Sequence, residues 1–210
     1  MKNNYDNIAG YYDVLSRMVF FRTQVKAQTD QLYAIPANST ILIAGGGTGW
    51  ILEEIAKIHP SGLTVTYVEI SSKMLDLSKK RDIKDNKVTY VHAAMEDFKD
   101  AGAYDVLITA FFFDNFSANN IQIVFNQLNN LLRPKGIWLF SDFYYTEKSG
   151  KGWQWLLLHS MYLFFGKISS IEAKSLVNTE NLFEQNHYHP LKTAFYYSRF
   201  IKTIIYQKAA

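Results

Sequence analysis

Four glycines within five positions, Gly45, Gly46, Gly47 and Gly49, broken only by Thr48, constrain this chain more than any other stretch. A short β-branched, apolar run, Thr40 to Ile43, leads into them. Directly behind, Trp50, Ile51, Leu52, Ile55 and Ala56 fall on one broad helical face, with Glu53, Glu54 and Lys57 off it. Strand, glycine turn, helix is the unit that binds nucleotide-like ligands at the carboxyl end of a parallel strand. Glycines admit φ > 0 and bring backbone N–H groups close to a ligand. The helix N-terminus adds partial positive charge, a seat for a carboxylate or phosphate. A tight turn without a ligand is the plain alternative.

The spacing narrows the ligand. A dinucleotide fingerprint needs glycine at 45, 47 and 50, and position 50 is Trp50. A phosphate-cradling loop needs a Gly-Lys-Ser/Thr ending, which is absent. Downstream, Leu63 to Val68 alternates as a second strand and ends on Glu69, about 20 positions after Gly49. A carboxylate there can accept from both hydroxyls of a ribose. A lone Glu after a strand is ordinarily a surface residue; its place after the glycine turn raises it.

Strand and helix patterns then alternate. A helix is expected over 71–80, capped by Ser71 or Ser72, then strands over 87–92 and 104–109, a helix over 117–132 and a strand over 137–140. Arg133-Pro134-Lys135-Gly136 is expected as a turn. Residues 169 to 186 suggest a further helix. Two late strands, one within 187–197 and one over 200–207, are joined too tightly for a parallel crossover and must be antiparallel. Residues 5–33 read as helix, broken at Gly10. Lys79, Lys80 and Arg81 read as a solvated helix end, and no clustered basic patch accompanies the net charge of +3, so a nucleic-acid partner is not expected. The chain has no cysteine, which excludes thiolate metal sites and disulfides, and no metal is expected at His187 or His189. The N-terminus shows no apolar signal region and no stretch is long enough to span a membrane; a cytoplasmic location is expected.

Gly45-Gly46-Gly47-Thr48-Gly49 reads G-x-G-x-G and resembles motif I of the class I S-adenosylmethionine-dependent methyltransferases. YDNIAGYYDVLSRM resembles the opening of ubiquinone/menaquinone C-methyltransferases and related small-molecule enzymes, VEISSKML their acidic-x-S-x-x-M-L signature, and LLRPKGIWLFSDF their L-x-P-G-G turn and strand. The resemblance covers nearly the whole chain. It implies a doubly wound, mostly parallel, Rossmann-like α/β sheet of seven strands in the order 3-2-1-4-5-7-6, with the last strand antiparallel and helices on both faces. It implies a single domain over 1–210, with 1–37 as a helical lid and 143–168 as an aromatic insertion. The cofactor would be S-adenosylmethionine, held by Tyr12, Ala44, Gly45, Gly46, Gly47, Gly49, Glu69, Ile70, Met74, Ala94, Met95, Glu96, Ala110 and Phe111. Two positions depart from the family. Ile43 stands where an acid usually anchors the cofactor's ammonium, and Ala94 where an Asp usually accepts from the adenine amino group, a part that Glu96 or Asp97 would have to take over. Each lost hydrogen bond to a charged group would cost about 1.5–3 kcal/mol.

Methyl transfer from a sulfonium neutralises the cation and needs no acid, so a catalytic base is optional. Candidates at the expected mouth are Tyr12, Asp114, Tyr144, Tyr145 and His159, with Asn115 beside them. Aromatic residues make up 16% of the chain and concentrate at Phe111–Phe116 and Trp153–Phe165, which points to a small apolar or aromatic acceptor. The helix WQWLLLHSMYLFFGKI is apolar nearly all round. Core packing is its first reading, a hydrophobic substrate lid its second and contact with a membrane surface its third. Two other functions fit the same pattern: a methyltransferase-fold binding protein without turnover, and a nicotinamide oxidoreductase, which Trp50 disfavours. The oligomeric state is not legible.

Overall fold

The computed structural model describes residues 6, 9–10, 20, 22–145, 152–168 and 176–210. Strand β1 (Thr40–Ala44) sends Ile41 and Ile43 to one face and Leu42 and Ala44 to the other, all buried, because side chains alternate along a strand. It lies between β2 (Ser61–Glu69) and β4 (Tyr104–Ala110), parallel to both. β3 (Asp85–His92) pairs outside β2, and β5 (Leu132–Phe143) outside β4. β7 (Ile201–Lys208) runs antiparallel to β5, and β6 (Tyr188–Tyr196) antiparallel to β7. The order is β3-β2-β1-β4-β5-β7-β6, with β7 reversed, as the sequence implies.

The chain leaves β1 in opposite directions, first to β2 and β3, then to β4 and β5. A crevice therefore opens at the carboxyl ends of β1 and β4. One face of the sheet is covered by α2 (Trp50–Ile58), whose Ile51, Leu52 and Ile55 pack on Ile41, Ile43, Val65 and Val106. α1 (Thr23–Thr29) packs against β7, β6 and α2. α3 (Ser72–Ser78) lies beside β2 and β3. The other face carries α4 (Ala118–Leu131) with Ile121, Val124, Phe125, Leu128 and Leu131 inward, as the heptad-like spacing predicts. Trp138 of β5 is fully buried there; it stacks on Phe125 with ring centroids 5.2 Å apart, and its Nε1 donates to Thr109 Oγ1 at 2.8 Å.

The expected elements differ in three places. Arg133–Gly136 does not separate helix from strand. β5 already pairs at Leu132 and resumes at Ile137, so the turn, with Lys135 at φ 62°, is an irregularity inside the strand. The helix expected over 169–186 is the six-residue α6 (Glu180–Gln185), in this numbering preceded by α5 (Gly152–Ile168); residues 176–179 are non-helical and 169–175 lie outside the described residues. Most of the helix expected over 5–33, including Tyr12, also lies outside them; within them Gly10 sits in a turn and α1 is followed by a short 3-10 helix, Leu32–Ala34. Over residues 152–161, α5 buries Leu158 and Gln154 and exposes Trp155 and Leu156, so core packing holds there for one side only. No described helix is long and apolar enough to cross a membrane.

Candidate functional site

The crevice is bounded by the glycine turn, the ends of β1, β2 and β4, the loop after β3, and one side of α1. Its walls hold Ala44, Gly45, Gly46, Gly47, Glu69, Ile70, Met74, Ala94, Met95, Glu96, Ala110 and Phe111, all of them expected from the sequence. They come from five separate segments, brought together because the parallel strands end at one edge.

The turn's N–H groups are turned inward rather than to the ligand. Gly45 N and Gly46 N donate to Val68 O at 2.9 and 3.5 Å, Gly49 N to Gly46 O, and Gly47 N to Glu69 Oε2 at 2.9 Å. The phosphate seat that a glycine turn suggests is thus spent on β2 at these positions. Glu69 is 4% exposed and its second oxygen accepts from Ser71 N at 2.7 Å. Burial raises its carboxyl above the ordinary value, and the N–H bonds from Ser71 and Gly47 pull the other way. Ser71 Oγ caps α3 by accepting from Met74 N and itself donates to Asp6, which therefore stands at the rim beside Glu69.

Two supports had no signal in the sequence. Tyr67, buried on β2, extends its hydroxyl under the turn and donates to Gly47 O at 2.9 Å. Burial, with the Glu69 carboxylate nearby, holds that hydroxyl protonated. Arg81 is not the end of a solvated basic run. Its Nε donates to Thr48 O at 2.9 Å, and it lies 3.5 Å from Glu53, tying the loop after α3 to the turn. The expected Gly49 is likewise a support rather than a wall: it is absent from the lining, caps α2 at φ 79°, and faces Ser78.

Other expected residues lie elsewhere. Trp50 is half-buried: it packs against the core under α2 and also lines the cleft. Ile43 also lines it, with Ile108, Val25, Gln24 and Gln28. Glu96 is on the wall, whereas Asp97 is exposed outside it. Of the described candidates for a base, none lines the cleft. Tyr144 packs on Phe195 and Tyr145 against the aromatic cluster of Phe20, Phe143 and Phe200. His159 stacks on Trp155 on the exposed side of α5 and bonds Trp155 O through Nδ1 at 2.8 Å. Asn115 does line it; its Nδ2 donates to Phe111 O and Phe112 O and to Asp114, holding Phe111 at φ 51°.

The half-buried Asp114 and the buried Asp142 form a carboxyl pair behind this wall. Asp142 accepts from Phe143 N at 2.8 Å and from the N–H groups of Phe113 and Asp114. Burial pushes Asp114 up to about 7, and burial with the Asp114 charge pushes Asp142 well above the ordinary range. Both folded values exceed the unfolded ones, so the folded chain binds more protons. This contribution to stability is fully present below about pH 4 and is lost as pH rises through about 7. Urea titrations between about pH 5 and pH 8 are expected to show falling stability that Asp114→Asn flattens; an unchanged slope in the variant would exclude the pair as its source.

The sheet order, the glycine turn leaving β1 and the acid ending β2 define a class I methyltransferase fold. Residues 41–136 match the family model described as a methyltransferase domain. That stretch, which builds β1 to β4 and the walls they carry, is thus similar to methyltransferase domains, the kind of domain that uses S-adenosylmethionine as cofactor. It is 28% identical over 145 residues to a malonyl-[acyl-carrier protein] O-methyltransferase of Priestia megaterium, covering 68% of this chain and 51% of the relative. It is 30% identical over 134 residues to a demethylmenaquinone methyltransferase of Thermotoga maritima, covering 63% and 56%. The chain spans about half the length, or less, of the curated relatives it matches. Among solved structures, the fold is similar to the 1,6-didemethyltoxoflavin-N1-methyltransferase of Burkholderia thailandensis with bound S-adenosylhomocysteine, with a TM-score of 0.67, 13% identity, and 97% of this chain and 85% of that one covered.

Proposed function

We propose that the chain transfers a methyl group from S-adenosylmethionine to a small, apolar or aromatic acceptor. The observation that carries this is Glu69. Its carboxylate is held at the cleft wall by Gly47 N and Ser71 N, next to the apolar Ile70, Met74, Ala94 and Met95 and beside a turn with its glycine N–H groups already used. That arrangement suits a ribose and an uncharged base without phosphates. Glu69 accepts from the ribose hydroxyls, Ile70, Met74 and Met95 pack on the adenine, and Glu96 replaces the missing Asp at Ala94. The cofactor supplies a methyl on a sulfonium, a leaving group that needs no proton. The chain's own part is to align the acceptor and exclude water. Phe111, Phe112 and Phe116, with Ala110 and Trp50, line the part of the cleft open to an acceptor, which supports the apolar or aromatic class. Of the acceptors in the relatives' names, demethylmenaquinone fits this class and is the one to try first, whereas malonyl-[acyl-carrier protein], a charged acyl group on a protein, does not and serves as the contrast.

Ile43 and Ala94, both apolar on the cleft wall, favour a second reading: a binding protein of this fold without turnover. Calorimetry with S-adenosylmethionine and S-adenosylhomocysteine separates these. Binding of both is expected, and binding of neither at about millimolar ligand, a Kd weaker than the range expected for any cofactor, would sink the enzyme reading. Transfer of label from the methyl group to an aromatic acceptor panel then decides between turnover and binding alone.

A further inference from the structure

Along the cleft, the walls succeed one another in sheet order: the loop after β3 with Ala94, Met95 and Glu96, the end of β2 with Glu69, the glycine turn after β1, the end of β4, and then α1 with Gln24 and Gln28. The carboxylates on this path are Glu69 and Glu96, both on the β2–β3 side. On the other side Ile43 and Ile108 are apolar, Asn115 has its amide N–H groups turned to Phe111 O, Phe112 O and Asp114, and the further polar side chains of the lining there are the two glutamines, one helical turn apart on α1. Among the described residues no side-chain hydrogen bond engages either amide. Their helix is nevertheless firmly placed. Gln31, the next residue on that side, donates from Nε2 to Ser141 Oγ at 2.6 Å, and Ser141 O in turn accepts from Phe111 N of the cleft wall at 2.8 Å. Asp30 accepts from Tyr196 Oη at 2.9 Å, fastening the end of α1 to β6. Two free amides are therefore held in position over the cleft.

We infer that Gln24 and Gln28 bind the amino-acid end of the cofactor, in place of the acid missing at Ile43. The inference rests on the cofactor reading above. With base and ribose at β3 and β2, the rest of the molecule extends past β1 toward α1. Its far end is a zwitterion and needs both an acceptor and donors. A primary amide offers a carbonyl oxygen to the ammonium and two N–H donors to the carboxylate, and it brings no charge into an apolar wall. An acid at Ile43 would serve the ammonium alone; the pair of amides serves both charges.

Calorimetry of the whole chain, with S-adenosylhomocysteine and with 5′-methylthioadenosine, which lacks the amino-acid end, tests this directly. The wild type is expected to bind S-adenosylhomocysteine more tightly than methylthioadenosine. In the double variant Gln24→Leu/Gln28→Leu the Kd for S-adenosylhomocysteine is expected to rise about tenfold or more, while that for methylthioadenosine stays within about twofold and serves as the folding control. An unchanged Kd for S-adenosylhomocysteine, or equal losses for both ligands, overturns the assignment. Wild-type binding of both ligands with equal affinity also overturns it while leaving the cofactor reading intact. Binding of neither overturns the cofactor reading, and the assignment with it.

Discussion

Gly49→Ala is expected to destabilise the chain by about 3 kcal/mol or more, whereas Gly47→Ala leaves it folded but unable to bind cofactor tightly. The two glycines stand two residues apart, both at positive φ, 79° and 64°. A non-glycine residue in that region costs roughly 1–2 kcal/mol at either site. The difference is what a new Cβ would meet. At Gly49 it would lie 2.4 Å from Ser78 Cβ and 2.7 Å from Ser78 Cα, and the backbone of α3 cannot step aside. Overpacking adds about 1–3 kcal/mol. In a chain of this size about 3 kcal/mol lowers Tm by roughly 6–12 °C. At Gly47 the nearest atom is Met74 Sδ at 3.9 Å, because that side of the residue faces the cleft. The methyl group then occupies ligand space, and the Kd for S-adenosylhomocysteine is expected to rise by about tenfold or more, about 1.4 kcal/mol or more. Thermal melts and calorimetry on both variants check the pair. Equal melting losses with equal binding losses would mean that the turn acts as one structural unit and that Gly47 does not border the ligand.

Glu69→Ala carries the second large effect, and it should appear in binding and in stability. The ribose would lose a charge-assisted acceptor, which corresponds to about 1.5–3 kcal/mol, or roughly ten- to a hundredfold in Kd. Gly47 N and Ser71 N would lose the oxygens they donate to at 2.9 and 2.7 Å. A buried donor left unsatisfied costs about 1–3 kcal/mol. The pH dependence has a definite sign. Burial raises the folded Glu69 carboxyl above its unfolded value, so protonation favours the fold, and this contribution fades as pH rises through the folded value. Binding runs the other way: a protonated carboxyl is a poorer acceptor, so affinity falls as pH drops through that same value. Glu69→Gln, neutral throughout, should bind weakly with no such fall. Wild-type affinity in Glu69→Ala would refute the ribose assignment.

Much of this site was legible because it is local. Strand, glycine turn and helix are consecutive, and Glu69 follows at a distance set by one helix and one strand. Ser71 signalled its cap for the same reason: a cap depends on the residue and the next three positions. What could not be read were contacts between segments far apart in sequence. Nothing in TVTYVE marks Tyr67 as the group beneath Gly47, and nothing in SKKRD separates Arg81, folded back on Thr48, from its solvated neighbours. His159 and Asp114 have side chains suited to a base at the expected mouth, but their chemistry does not say which way they face. The fold turned His159 to the exposed side of α5 and set Asp114 against Asp142 behind the wall.

The sequence by itself determined the sheet's makeup, since alternation, turn chemistry and spacing are properties of neighbouring residues, and through the resemblance carried by G-x-G-x-G and the acid at Glu69 it implied the strand order and the ligand class. Only the tertiary structure decided how the turn is used. It directed the glycine N–H groups into Val68 and Glu69, assigned Gly49 to packing and Gly47 to the cleft, and brought Gln24 and Gln28 into the same cleft as Ile43. Those outcomes depend on which distant surfaces meet when the sheet is covered, and close packing between α3, β2 and the turn leaves one arrangement free of clashes.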